Sequence, residues 1–285
     1  MKILTINGSH RKKGNTGAVL TLLAEALEEK FKGTEAWAVG RASKKEEAGE
    51  EPISVNDLTI EHCFLSDLEL KPCRGCRVCF DRGEASCPVE DGLLSLHKRI
   101  LEADCVILAT PVYVNDVSST MKTMIDRLAF VCHRPAYWNT PMFLIATTGG
   151  SPTRHTIRTL QSAAISWGVP LIGSLGLTTG ALSTLDQIRS EYNDRIMRKA
   201  RIIASYLHNE RHKSPGFISL TVFAIQQYSW SKLFDREETE SVDARYWKER
   251  SWTGKDCFFF FPPHVSGVKS AAARLIGKLA ARIVT

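Results

Sequence analysis

Two continuous apolar runs, Cys105 to Thr110 (CVILAT) and Met142 to Thr147 (MFLIAT), constrain this chain more than any other feature. Neither run alternates with polar residues, so neither has a face to turn towards water. Each reads as a strand covered on both sides, which is the condition of a parallel sheet between helical layers. Helical spacing surrounds them. Leu93, Leu94, Leu96, Ile100 and Leu101 mark a helix before the first run, and a helix from about Ser119 to Cys132 separates the two. A helix from about Arg154 to Trp167 and a strand over Leu171 to Leu177 follow, and Leu185, Ile188, Tyr192, Ile196, Ala200, Ile203 and Leu207 then trace a long amphipathic helix. At the front, Ile3, Leu4 and Ile6 form a short strand, Val19, Leu22, Leu23, Ala26 and Leu27 a helix, and Ile60 to Leu65 the second strand. Five strands alternating with helices predict an α/β chain with a doubly wound five-stranded parallel sheet. In such a sheet, ligands sit outside the carboxyl ends of the strands, where the strand order reverses.

The loops at those ends are the unusual ones in this sequence. Between the first strand and first helix lies GSHRKKGNTG, Gly8 to Gly17, with Ser9, Asn15 and Thr16 as polar donors, Arg11, Lys12 and Lys13 as cations, and no acid. Free N–H groups and the positive end of a helix behind such a loop suit a phosphate. It is not a dinucleotide fingerprint, because Gly8-Ser9-His10 lacks the second glycine, and it is not a P-loop, because Asn15 follows Gly14 where a lysine belongs. Pro111 to Asp116 follows the third strand, and Thr147-Thr148-Gly149-Gly150-Ser151-Pro152 closes the fourth.

These loops resemble those of flavodoxin-like NAD(P)H-dependent FMN reductases. Gly8-Ser9-His10-Arg11 through Asn15-Thr16 is similar to the family pattern G-S-x-R-x-x-S-N-T, with Gly14 in place of the serine. Thr110 to Arg127 is similar to [ST]-P-x-Y, a later [ST], then K-x-x-x-D-R. The resemblance implies a flavodoxin-like fold over residues 1–212 and an FMN site. Ser9, Arg11, Asn15, Thr16 and Gly17 would hold the phosphate, Pro111, Val112, Tyr113, Val114 and Asn115 would line the ring, and Thr147, Thr148, Gly149 and Gly150 would face its other edge. No side chain stands out as acid or base, since flavin N5 carries the chemistry. Lys122, Asp126 and Arg127 read as structural ion pairs on a helix.

A further cluster, Cys73-x2-Cys76-x2-Cys79-x7-Cys87, lies in an irregular segment over residues 71–92. Four thiolates suit a [4Fe–4S] centre or zinc, and the single compact group tilts the choice towards iron and sulfur. Reduced thiols that shape the pocket are the alternative. The spacing resembles the cysteine motif of the iron–sulfur flavoprotein branch of the same reductases. Arg74, Arg77 and Arg82 would offset the charge of such a centre. Cys63, Cys105 and Cys132 read as small core residues.

The net charge of +6 is concentrated in the first loop and in residues 265–285, where Lys269, Arg274, Lys278 and Arg282 stand without an acid. No basic stripe interleaved with aromatics remains for nucleic acid. Residues 40–56 are too polar to bury and read as a surface insertion. Beyond about Lys213 a helical extension is expected, over 213–285, with Phe217 to Trp230 apolar, a linker at Asp235 to Glu240, and Phe258-Phe259-Phe260-Phe261 in need of cover. In the last helix Val268, Ala272, Leu275, Ile276, Leu279 and Ile283 share an apolar stripe; docking on the core or on a partner subunit is expected, with contact to an anionic membrane as the alternative. No apolar stretch reaches 18 residues, so a cytoplasmic protein is expected. The resulting expectation is an oxidoreductase passing electrons from NAD(P)H through FMN to a small-molecule or protein acceptor, as a homo-oligomer (a homodimer in the simplest case). The alternatives are an electron-transfer flavoprotein that does not use nicotinamide, and a flavin-binding redox sensor without turnover.

Overall fold

The computed structural model describes residues 1–32, 58–208, 215–235, 241–261 and 266–284. The expected surface insertion over 40–56 and the 236–240 linker lie outside them. The strands are β1 (Lys2–Asn7), β2 (Thr59–Phe64), β3 (Cys105–Pro111), β4 (Met142–Thr148) and β5 (Leu171–Thr178). They form one sheet in the order β2-β1-β3-β4-β5, every neighbouring pair parallel. The chain leaves β1 towards β2 and returns on the other side of β1 as β3. The strand order therefore reverses between β1 and β3.

The described helices are α1 (Asn15–Lys32), α2 (Val78–Asp81), α3 (Leu93–Leu101), α4 (Ser119–Arg127), α5 (Ala129–His133), α6 (Arg154–Ser166), α7 (Leu185–His208), α8 (Phe217–Asp235), α9 (Val242–Glu249) and α10 (Gly267–Val284). The apolar runs split by parity, as a strand buried on both faces must. Cys105, Ile107 and Ala109 of β3, with Phe143 and Ile145 of β4, pack under α1 and α7. Val106 and Leu108, with Met142 and Leu144, pack on the opposite face against Leu96, Met121, Met124 and Trp167. The edge strand β2 is only half covered, which explains its weaker apolar signal.

The structure corrects one expectation about helices and narrows another. The single helix over 119–132 is two, broken at Leu128, whose backbone (φ −86, ψ 18) leaves the helical region. The stripe on α10 does not dock on the core of this chain: Val268, Leu275, Ile276 and Leu279 stay exposed. Its packing face is made of Ala273, Gly277 and Ala281, one residue per turn. A Cβ on Gly277 would come within 2.6 Å of Ala224 Cβ and 3.0 Å of the Thr221 carbonyl, so α10 lies backbone-close on α8. Small residues permit that approach and the larger apolar ones do not.

The C-terminal elements make an aromatic cluster of their own, with Phe223, Trp247, Trp252, Phe259 and Phe260 at its centre. Two of the four consecutive phenylalanines, Phe259 and Phe260, are buried, and Phe260 seats on Gly168. Phe258 stays exposed beneath the Arg274 guanidinium. Side chains of the extension tie it to the end of α5: Gln226 Nε2 donates to the Cys132 carbonyl (2.6 Å), Trp247 Nε1 to that of His133 (2.7 Å) and the Tyr246 hydroxyl to that of Pro135 (2.9 Å).

Candidate functional site

The loops that leave β1, β3 and β4 meet at the switch point around a cleft of about 210 Å³. Ser9, Arg11, Asn15 and Thr16 line one side, Pro111, Val112 and Tyr113 another, and Thr147, Thr148 and Gly149 the base. Short polar bonds hold the loops to one another. Ser118 caps α4 by accepting from the Met121 N–H, and its hydroxyl donates to the Gly8 carbonyl at 2.6 Å. Thr120 donates to the same carbonyl at 2.8 Å. The Thr16 and Thr147 hydroxyls share a hydrogen bond of 2.7 Å, and the Val112 N–H donates to the Thr147 carbonyl at 2.8 Å. The first-turn N–H groups of α1 have no acceptor within the helix, and no acid stands in that turn. Asn7 Nδ2, at the end of β1, is buried without a partner.

The β3 loop is a two-residue reversal in which Tyr113 and Asp116 exchange backbone bonds, with Val114 (φ 47) and Asn115 (φ 64) at its tip. A β-branched residue in that region costs on the order of 1–3 kcal/mol, and such strain gathers at functional sites. Val114 and Tyr113 project into solvent from this turn.

A second cavity of about 240 Å³ lies beyond α4, and Cys73, Cys76, Cys79 and Cys87 all line it. Left-handed backbone at Gly75 (φ 65) and Arg77 (φ 64) turns the segment after Cys73 and after Cys76, bringing the three closely spaced thiols to one wall. The Gly75 N–H points at Cys73 Sγ from 3.5 Å. Burial pushes the Cys79 thiol above its ordinary value. Two buried guanidinium groups carry the segment. Arg127 pairs with Asp91 at 2.5 Å, donates to the carbonyls of Lys71 (2.9 Å) and Val89 (3.1 Å), and comes within 3.9 Å of Cys87 Sγ. Arg134 donates to the Cys79 carbonyl (3.1 Å), to Glu84 (2.7 Å) and to Asp243 of the extension, which also bonds His133. Among the described residues no three His, Cys, Asp or Glu side chains converge closely enough to hold a single metal ion.

The sequence model of the NADPH-dependent FMN reductase family matches residues 1–180. The chain belongs to that family. An iron–sulfur flavoprotein of Methanocaldococcus jannaschii is 33% identical over 127 residues, covering 45% of this chain and 51% of that protein. One from Clostridioides difficile is 27% identical over 180 residues, covering 63% of this chain and 68% of that protein. The chain spans about half the length of the first curated relatives it matches. Among solved structures, a flavone reductase superposes with a TM-score of 0.49 at 14% identity, covering 76% of this chain and 66% of that one.

For a member of the FMN reductase family, the structure sorts the expected residues plainly. Ten of them line the cleft: Ser9, Arg11, Asn15, Thr16, Pro111, Val112, Tyr113, Thr147, Thr148 and Gly149. Four do not. Gly17 is buried in α1, where a Cβ would overlap the Lys12 carbonyl; Val114 and Asn115 form the turn's tip; and Gly150 stands in open space past Gly149. Lys12 turns away to Asp67 at 2.7 Å, which leaves Arg11 as the cation lining the cleft. Thr179, Gly180 and Ala181 complete the lining and were missed. Asn15 Nδ2 donates to Thr179 Oγ1 and to the Gly180 carbonyl, each at 2.7 Å, so it braces the β5 loop. A signal existed. Thr178-Thr179-Gly180 repeats Thr147-Thr148-Gly149 at the end of the neighbouring strand. Of the expected cations, Arg74 and Arg77 line the cysteine cavity and Arg82 does not; Arg77 also faces Asp81 at 3.7 Å, and Arg127 and Arg134, which brace the segment, were missed.

Proposed function

We propose that this protein is an FMN-dependent oxidoreductase that takes electrons from NAD(P)H and passes them to a small-molecule or protein acceptor. The observation that carries the reading is the convergence of the β1, β3 and β4 loops on one cleft at the switch point. The fit to FMN is chemical. An anion is served by the free N–H groups of α1, by Arg11 and by the Ser9 and Thr16 hydroxyls; Asn7 Nδ2, buried without a partner, lies behind them against Gly17. A flat ring is served by Pro111, Val112 and Tyr113 on one side, and by the Thr148-Gly149 backbone, where no side chain intervenes. Bound FMN supplies hydride and electron transfer. The chain's own residues bind and orient it, and Thr16 to Thr147 and Val112 to Thr147 keep the loops at fixed separation.

The cysteine cavity supports the iron–sulfur part of the reading. Its four cysteines line one cavity of about 240 Å³, and four thiolates suit an iron–sulfur centre. Arg127 beside Cys87 would offset the negative charge of four thiolates. Relatives named iron–sulfur flavoproteins support the same assignment. A shuttle that does not use nicotinamide is the second reading, favoured by the thiol cavity at the end of α4, separate from the cleft.

A visible spectrum of anaerobically purified protein, with iron and sulfide analysis, tests both cofactors. Flavin bands with stoichiometric iron and sulfide are expected, and oxidation of NADH or NADPH then separates the two readings. A colourless preparation that cannot be reconstituted with FMN ends the proposal.

A further inference from the structure

The outward face of α10 is apolar, and nothing in the described structure covers it. Ala273, Gly277 and Ala281 face α8, so at 3.6 residues per turn the opposite side carries Val268, Leu275 and Leu279, with Ile276 beside them. They are exposed to 82%, 62%, 50% and 46%. Lys269 Nζ bonds the Pro215 carbonyl (2.8 Å), Gly277 meets Ala224, and Arg282 reaches Tyr228. The two helices therefore run parallel, and the exposed Phe217 and Ile218 at the start of α8 lie at the same end as Val268.

Cations flank the stripe. Arg274, Lys278 and Arg282 follow one border and Lys269 the other, and residues 265–285 contain no acid. Their contacts are neutral: Arg274 with the Lys255 carbonyl and the Phe258 ring, Lys278 and Arg282 with Tyr228. Among the described residues no carboxylate pairs with them.

We infer that α10 is a docking face for an anionic lipid surface. The stripe would enter the boundary between headgroups and acyl chains while the flanking cations, on long apolar stems, stay at headgroup level. Charge decides against a second copy of this face. A two-fold contact sets a patch against itself and would bring the cationic borders together with no acid on either helix to relieve them. No described helix is long and apolar enough to cross a membrane, so the contact is in the plane of the surface. Each Lys or Arg near an anionic leaflet strengthens binding about fivefold, and salt screens the effect.

The test is flotation of the full chain, loaded with FMN, on phosphatidylcholine vesicles with and without phosphatidylglycerol, alongside size-exclusion light scattering. At low salt, binding to the anionic vesicles should exceed that to the neutral ones by more than about tenfold. It should disappear in Leu275→Glu/Leu279→Glu and fall in Lys278→Glu/Arg282→Glu. All these side chains are on the surface, so FMN content and far-UV dichroism serve as the check on folding. Equal binding to both vesicles, or none to either, overturns the inference. So does a dimer that the Leu275→Glu/Leu279→Glu variant dissolves, which would make this face an interface between copies.

Discussion

The start of α4 is tied to the Gly8 loop of the cleft and its last residues line the cysteine cavity, yet the two sites are held in place by different physics. Every wall of the cleft is the end of a buried strand, and neighbouring strands deliver neighbouring loops. What remains is done by small polar groups at close range: Ser118 on Gly8, Thr16 on Thr147, Asn15 on Thr179. No strand enters the cysteine cavity. Its segment has one four-residue helix, α2, and owes its shape to Arg127 and Arg134, which reach it from α4 and from the end of α5. The extension adds Asp243, and Phe80 of the segment stacks on His133, 4.2 Å between centroids. A site made from sheet topology spreads its support over many bonds. A site made from desolvated charges concentrates it in few.

The largest effect should therefore come from Arg127→Ala. It leaves the Asp91 side chain buried without its counter-charge, and breaking such a pair costs about 3–5 kcal/mol. Urea unfolding should show that loss, and the cysteine segment should become labile to proteolysis while FMN binding survives. Loss of FMN in the same variant would make the two regions one unit and break the contrast. Acid reads the same pair. Burial pulls the Asp91 carboxyl up, but the Lys71 N–H and the Arg127 guanidinium outweigh it and hold the group below its ordinary value. A depressed carboxyl contributes fully above its unfolded pKa, about 3.9, and loses that contribution as pH falls through the folded value. Between neutral pH and that range the wild type should keep its stability, and below about pH 4 it should lose it more steeply than Asp91→Asn.

This contrast also explains what could be read from the sequence. The five strands and ten of the cleft residues were legible because each is signalled locally, by an apolar run and the loop that ends it; the order of the strands came only with the flavodoxin-like resemblance. Thr179 and Gly180 were missed because β5 contains Gly173 and Gly176 and carries a weaker apolar signal, so its terminal loop drew no attention. The four cysteines were visible by spacing. Their supports were not, because Arg127 lies 36 residues from Asp91, and Arg134 lies 109 from Asp243. No local pattern announces such a pairing. The α10 stripe was legible as a stripe, but amphipathicity does not say which apolar face is flat enough to pack on the core. Gly277 between Ala273 and Ala281 decides that here.

Next in size is Arg11→Ala. The side chain is exposed and lines the cleft, so its removal should leave the unfolding midpoint of the FMN-free chain within about 0.5 kcal/mol. A charge-assisted hydrogen bond contributes about 1.5–3 kcal/mol, so FMN affinity should fall roughly ten- to a hundred-fold, read by flavin fluorescence. This is the reverse of the Arg127 pattern: ligand lost, fold kept. Unchanged affinity would mean the cleft binds its anion through backbone N–H groups alone, which would sharpen the difference between the two regions.

The smallest effect belongs to Lys122, and it tests how α4 divides its labour. Lys122, Asp126 and Arg127 stand together in one stretch of sequence, and by sequence alone they deserve equal weight. The structure separates them. Lys122 pairs with Asp126 at 2.6 Å on a surface where both side chains are about half exposed, whereas Arg127 is 5% exposed and makes bonds to three parts of the cysteine segment. An exposed pair one turn apart contributes about 0.3–0.5 kcal/mol. Lys122→Ala should therefore shift urea stability by that amount, leave FMN affinity unaltered, and lose even this small effect in high salt. Two cations on one short helix would then differ about tenfold in free energy, because one faces water and the other replaces it. A tenfold loss of FMN affinity in Lys122→Ala would instead assign that ammonium to the ligand and enlarge the cleft beyond the loops that line it.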